Sequence, residues 1–189
     1  MDFLTPEELL RLLRAAQART RDWCMILVAY RHGLRTSEVC SLKLSDVRNG
    51  YISVQRGKGS LRTRQRLYQE HSEPLLDEVE ALQAWLALRP DDGSGFLFTS
   101  QKGGGLHRTQ FFRMFQAAAK KARLPTRKQH PRILKYSLAA HLLIRKADLS
   151  LIGRLLGHRS ANSTQKIVKA AAQQNTLLAT HVLSLLRSN

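Results

Sequence analysis

The stretch RDWCMILVAYRHGLRTSEVCSLKLSDV, residues 21–47, decides the fold. Its first half is apolar with hardly a break from Trp23 to Tyr30, the mark of a helix buried on every side. Gly33 ends that helix, because glycine accepts the backbone conformation that closes a last turn. The segment TSEVCSLKLSDV then restarts a short helix after the turn.

On the N-terminal side, Thr5-Pro6-Glu7-Glu8 is a helix start, with a Thr cap, Pro in the first position and Glu in the third. Leu9, Leu10, Leu12, Leu13 and Ala16 give that helix an apolar face. On the C-terminal side, YISVQ (51–55) and RQRLY (64–68) read as two strands of a hairpin joined by RGKGSLRT. Ser72 to Leu88 reads as a capped amphipathic helix, FLFTS (96–100) as a short strand and QKGGG as a turn. From Arg108 onward the pattern is helical, through RTQFFRMFQAAAKKA, ILKYSLAAHLLIRKA, DLSLIGRLLG and a last apolar stripe of Leu177, Leu178, Val182, Leu185 and Leu186. That stripe packs either on its own domain or on a neighbouring copy. The expectation is one domain over residues 1–189, mainly α with a small β-hairpin.

Charge restricts the partners. Residues 1–95 carry 14 Lys/Arg and 13 Asp/Glu, a net of +1, whereas residues 96–189 carry 17 Lys/Arg and the single acid Asp148, a net of +16. A half so poor in acids fits a polyanion such as double-stranded DNA. Lys120, Lys121, Arg123, Arg127 and Lys128, together with Arg159, are candidate phosphate contacts in that half. Cys24 and Cys40 read as buried thiols of a reducing, cytoplasmic setting. No apolar run is long enough to span a membrane, and MDFLTPEELL has no signal-peptide pattern. The histidines follow no metal-ligand spacing, so neither metal nor cofactor is expected.

Two stretches carry a family likeness. Residues 21–47 resemble the first conserved block of the tyrosine recombinases, the phage integrase family. HPRILKYSLAAHLLIRKADLSLIGRLLGHRS, residues 130–160, resembles the second, and RGKGSLRTR lies where that family places a lysine on a hairpin. The likeness is closest to the short recombinases that flip fimbrial promoters, and it implies the recombinase catalytic-domain fold without the separate N-terminal core-binding domain. It also implies a chemistry. A tyrosine hydroxyl attacks a DNA phosphate and becomes covalently linked to it. Two arginines clamp the non-bridging oxygens, a hairpin lysine protonates the leaving oxygen, and histidines serve protons and phosphate.

Carried onto this chain, the likeness makes Arg35 the first clamp arginine, with Glu38 orienting it. Lys58 matches the hairpin lysine and His158 the late histidine. The departures follow. The family's H-x-x-R signature reads Arg132-Ile133-Leu134-Lys135, so cations remain where a histidine and a forked arginine are expected. The nucleophile belongs about nine residues beyond the late histidine, and Ile167 occupies that position. Tyrosines occur only at 30, 51, 68 and 136. Tyr136 follows Lys135 on a helix and should point roughly 100° away from it. Ser163 and Thr164 are alternative hydroxyls near the lost position, or simply part of a helix start capped by Asn162 or Ser163.

Three functions are consistent with these residues. The first is a DNA-binding recombinase-like protein without cleavage chemistry, acting as a regulator, an architectural factor or the partner of an active recombinase or of its own copies. The second is an active recombinase with a displaced or partner-supplied nucleophile. The third is a protein–protein scaffold with incidental DNA binding.

Overall fold

A computed structural model describes residues 2–57 and 59–172. Lys58 and the apolar stripe from Leu177 lie outside the described residues. Eight α-helices and one three-stranded antiparallel sheet are described. Helix α1 (Pro6–Ala16) begins with the expected capping box: the Thr5 hydroxyl accepts from the Glu8 N–H at 3.2 Å, and Glu8 Oε2 accepts from the Thr5 N–H at 2.8 Å. Its buried face is Leu9, Leu12, Leu13 and Ala16. Helix α2 (Thr20–Arg31) is the core helix, with every residue from Asp22 to Tyr30 buried. Helix α3 (Thr36–Ser41) follows Gly33, whose φ is +56°. A Cβ on Gly33 would collide with the Leu156 side chain, so both conformation and packing require glycine there.

The sheet contains β1 (Val47–Arg48), β2 (Tyr51–Val54) and β3 (Thr63–Arg66), in that order. β1 was not expected from the sequence. It pairs with β2 across Asn49-Gly50, both of which have positive φ, as a two-residue turn of this kind needs. β3 starts one residue earlier and ends two earlier than the apolar pattern suggests. The pairing Tyr51↔Arg66 to Val54↔Thr63 uses up β2, and Leu67 bonds instead to the Gly50 carbonyl.

Helix α4 (Glu78–Leu88) begins later than Ser72. A short 3-10 turn, Pro74–Leu76, precedes it, and Asp77 supplies the cap by accepting from the Glu80 N–H at 2.8 Å. FLFTS forms no strand. Isolated bridges hold Phe96 to Lys43 and Thr99 to Gly105, while the carbonyls of Phe96 and Leu97 accept from the Arg89 and Trp85 side chains. Helices α5 (Arg108–Lys121), α6 (Arg132–Ile144), α7 (Leu149–Leu155) and α8 (Ala161–Ala172) complete the described chain. α8 starts ahead of the expected caps: Ser160 accepts from the Asn162 and Ser163 N–H groups, which puts Ser163 inside the helix. α8 packs on α6 and α7, and α6 packs on α2. The C-terminal helices are thereby locked to the core helix of the first conserved block.

Cys24 and Cys40 are free and buried. His32 is fully buried between Gln65 and Glu78, and His141 bridges the Tyr30 hydroxyl and the Leu4 carbonyl, so both are structural. No described helix is long and apolar enough to cross a membrane.

Candidate DNA-binding groove

A groove of about 630 Å³ opens between the start of α3, the hairpin tip, the start of α5, and helices α6 and α8. Its lining gathers Arg35, Arg132, Lys135, His158, Arg159 and Ile167 from the sequence-derived set. Arg108, Lys166, Ser60, Ser163 and Tyr136 also line it. Six of these side chains are cationic and none of the lining residues is acidic.

Arg35 sits at the α3 N-terminus with its side chain 43% exposed. Its Nη1 donates to Glu38 Oε1 at 2.7 Å and to the Ser60 hydroxyl at 3.2 Å, and its backbone N–H donates to Glu38 Oε2 at 2.8 Å. Glu38 is buried. Burial alone would raise its pKa, but the Arg35 N–H, the Arg56 charge and the Gly57 N–H outweigh it and hold the carboxyl below its ordinary value. Glu38 therefore lies behind the groove and aims Arg35 into it.

Lys135 lies 5% exposed at the groove floor, and its Nζ donates to the Leu156 carbonyl at 3.2 Å. Burial, and then the nearby charges of Arg35 and Arg56, bring its pKa down to about 7. His158 hangs from the turn after α7, where its Nδ1 faces the Thr164 hydroxyl at 2.9 Å. Burial, with Lys135, Arg35 and Arg56, lowers its pKa to about 4, so it is a neutral imidazole at pH 7. Arg132 is exposed at the first position of α6, and Ile167 is 9% exposed on α8. Tyr136 does not point clear of the groove as its helix position suggested, since it shares the lining with Lys135.

The remaining basic residues of the set lie elsewhere. Lys120, Lys121 and Arg123 belong to the end of α5 and the turn after it, where Lys121 and Arg123 border α1 residues and not the groove. Arg127 is exposed and pairs with Asp2 at 3.2 Å. Lys128, expected as a phosphate contact, is instead buried and donates to Glu8 at 2.6 Å, because on the short 3-10 turn its side chain is the one directed at α1 while Thr126 and Arg127 face solvent. Arg56 was not singled out by the sequence reading. It is buried, and all five of its N–H donors are used, on Thr63, Gly33, Glu38, His32 and Leu155. Its signal was present in the inward-facing parity of Ile52, Val54 and Arg56 along the strand. Among the described residues no cluster of three or more His, Cys, Asp or Glu is arranged to hold a metal.

A core α2 packed on α6, a small sheet whose hairpin tip overhangs a cationic groove, and a histidine turn before α8 together define a tyrosine-recombinase catalytic domain. The chain belongs to the phage integrase family, whose model matches residues 2–174. It is 34% identical over 172 residues to the type 1 fimbriae regulatory protein FimB of Escherichia coli K12, covering 86% of this chain and 82% of FimB. It is 32% identical over 176 residues to the tyrosine recombinase XerA of Pyrococcus furiosus, covering 90% of this chain and 58% of XerA. Among solved structures, a XerA recombinase superposes with a TM-score of 0.77 at 28% identity, covering 92% of this chain and 65% of that one. The XerH site-specific recombinase, bound to a palindromic difH substrate after cleavage, superposes with a TM-score of 0.74 at 26% identity, covering 87% and 48% of the two chains.

Proposed function

We propose that this protein binds duplex DNA through the groove but does not cleave it, serving recombination as a regulator, an architectural factor or the partner of an active recombinase. The observation that carries the reading is the pairing of Ile167 with its surroundings. An alkyl side chain occupies the expected nucleophile position, while six cationic side chains line the same groove. Hydrocarbon cannot attack phosphorus, so the covalent step is lost with that one residue. Phosphate attraction needs only charge, and Arg35, Arg108, Arg132, Arg159 and Lys166 keep it. Lys135 gives a point charge in place of an arginine fork, which weakens oriented clamping more than attraction.

In this reading Arg35, Arg132, Lys135 and His158 contact phosphate, Glu38 orients Arg35, and Lys58 adds a cation from the hairpin. Lys120, Lys121, Arg123 and Arg127 extend the backbone contact beyond the groove. The chain acts alone on one face of the duplex or with further copies.

The test is a nicked, labelled duplex incubated with the protein and resolved with and without SDS. A complex seen in native gels and abolished by SDS supports the reading. An SDS-resistant adduct overturns it in favour of cleavage by another hydroxyl. Tyr136 and Ser163 are the groove residues that favour this second reading, and Tyr136→Phe and Ser163→Ala would then identify the nucleophile.

A further inference from the structure

The sheet has a second face that the groove does not use. Side chains alternate along a strand, and here the alternation separates two chemistries. Ile52, Val54, Thr63 and Gln65 point inward and are buried. Tyr51, Arg64 and Arg66 point outward and are exposed, and Arg48, paired with Tyr51 on β1, is exposed as well. Arg62, also exposed, leads into β3. Residues 47–69 contain six basic residues and no acid, whereas the rest of residues 1–95 carries 8 basic and 13 acidic residues.

Two features distinguish this face from an ordinary solvated surface. The first is the lack of counter-charge: among the described residues, Arg48, Arg62, Arg64 and Arg66 form no salt bridge. Each arginine is paired with a neutral residue, Arg48 and Arg66 with Tyr51 and Arg64 with Ser53, so the face collects positive charge without placing like charges directly opposite one another. The second is a built platform. The Arg64 guanidinium lies over the exposed Tyr51 ring, 4.2 Å from its centroid, a cation–π contact that draws the cation toward the sheet face. A guanidinium's planar fork is suited to a phosphate oxygen pair. The face offers one aromatic ring and no apolar cluster, too little to anchor a protein partner.

We infer that the outer face of the sheet, carried by Arg48, Arg64, Arg66 and Tyr51, is a phosphate-backbone contact surface for DNA, separate from the groove. The sheet itself stands between the two sites. On its inner side Arg56 reaches the Leu155 carbonyl next to the Lys135 acceptor, Leu156, whereas Arg64 and Arg66 face the opposite way. Cations on the outer face therefore cannot reach a phosphate held at Lys135. They contact backbone outside the groove, on the same duplex or on another.

The experiment uses the full chain with Arg48→Gln, Arg64→Gln and Arg66→Gln combined, compared with Arg132→Gln plus Arg159→Gln in the groove. Duplex affinity is measured by fluorescence anisotropy over a salt series, and folding of each variant is checked by circular dichroism and thermal melting. Each lost phosphate contact should reduce the slope of log K against log salt by about 0.9, so the sheet variant should lose between about two and three units of slope. Charge-keeping Arg64→Lys should retain most of the slope. A folded sheet variant with wild-type slope and affinity overturns the inference, whether or not the groove variant is impaired. Loss in the sheet variant alone would support this surface and count against the groove reading, so the two stand or fall separately.

Discussion

Glu38 and Arg56 meet at 3.2 Å in the interior, with their side chains 2% and 0% exposed. The same carboxylate holds Arg35 through its other oxygen at 2.7 Å. A buried ion pair thus acts as the anchor from which a groove arginine is aimed. Breaking such a pair from one side leaves an uncompensated buried charge, at a cost of about 3–5 kcal/mol. Glu38→Gln should therefore lower stability in urea by that amount and weaken duplex binding through the released Arg35. Arg35→Gln should weaken binding with little loss of stability, because Arg35 is exposed. Equal stability of the two variants would contradict the anchoring role of Glu38.

The groove should also respond to pH. Lys135 in the folded protein has a pKa of about 7, well below its ordinary 10.5. Between those values the unfolded chain binds the proton that the folded chain has released, so the Lys135 contribution to stability rises with pH above about 7. DNA binding moves the other way. Phosphate prefers the charged ammonium, so groove affinity should fall as pH rises through about 7. Proton uptake should accompany binding above it. Lys135→Arg, which stays charged, should flatten that dependence. Wild-type affinity that is level across this window would remove Lys135 from the phosphate contacts. His158, with a pKa of about 4, is already neutral throughout the window and should add no slope of its own.

Much of this arrangement was legible in the sequence. Thr5, Pro6 and Glu8 announced α1, Gly33 announced the end of α2, and the family blocks located Arg35, Lys135, His158 and Ile167, all of which line one groove. Local chemistry decided the misses. Asn49-Gly50 is a strong hairpin signal, but β1 is only two residues long, too short to show the alternation of a strand. FLFTS looks like a strand, but side chains of Trp85 and Arg89 take the carbonyls that a ladder would need. Tertiary packing decided the rest. Nothing near Lys128 shows that Glu8, 120 residues earlier, will capture it. Nor does spacing alone bring Arg108 and Lys166 to the groove, because that depends on how α5 and α8 are docked.

The turn at Gly157 joins the hairpin to the histidine. Its φ is +66°, and a Cβ there would lie 2.8 Å from both Arg56 Cγ and the Leu61 carbonyl oxygen. The Leu61 N–H in turn donates to the Gly157 carbonyl at 2.9 Å. Gly157→Ala combines a left-handed backbone with a backbone clash, and should lower stability by more than about 1 kcal/mol. It should also move His158 and the hairpin tip together, weakening DNA binding more than the stability loss alone explains. Denaturant melts paired with anisotropy titrations check both effects.

The most demanding prediction concerns the proposed loss of cleavage chemistry. If the groove has kept its frame and lost only reactive groups, replacing those groups should restore a covalent step. Ile167→Tyr puts a hydroxyl at the expected position on α8, Lys135→Arg restores a fork on α6, and Arg132→His restores a neutral proton acceptor one helical turn before it. Ile167→Tyr alone should give little or no adduct, because the acceptor and one half of the clamp are still missing. The triple variant should form an SDS-resistant protein–DNA complex on a nicked duplex, sensitive to proteinase and abolished again by Arg35→Gln. A triple variant that folds and binds DNA with wild-type affinity yet yields no adduct would mean that the frame itself has drifted. In that case Ile167 marks a groove remodelled for binding, and not a catalytic site short of three side chains.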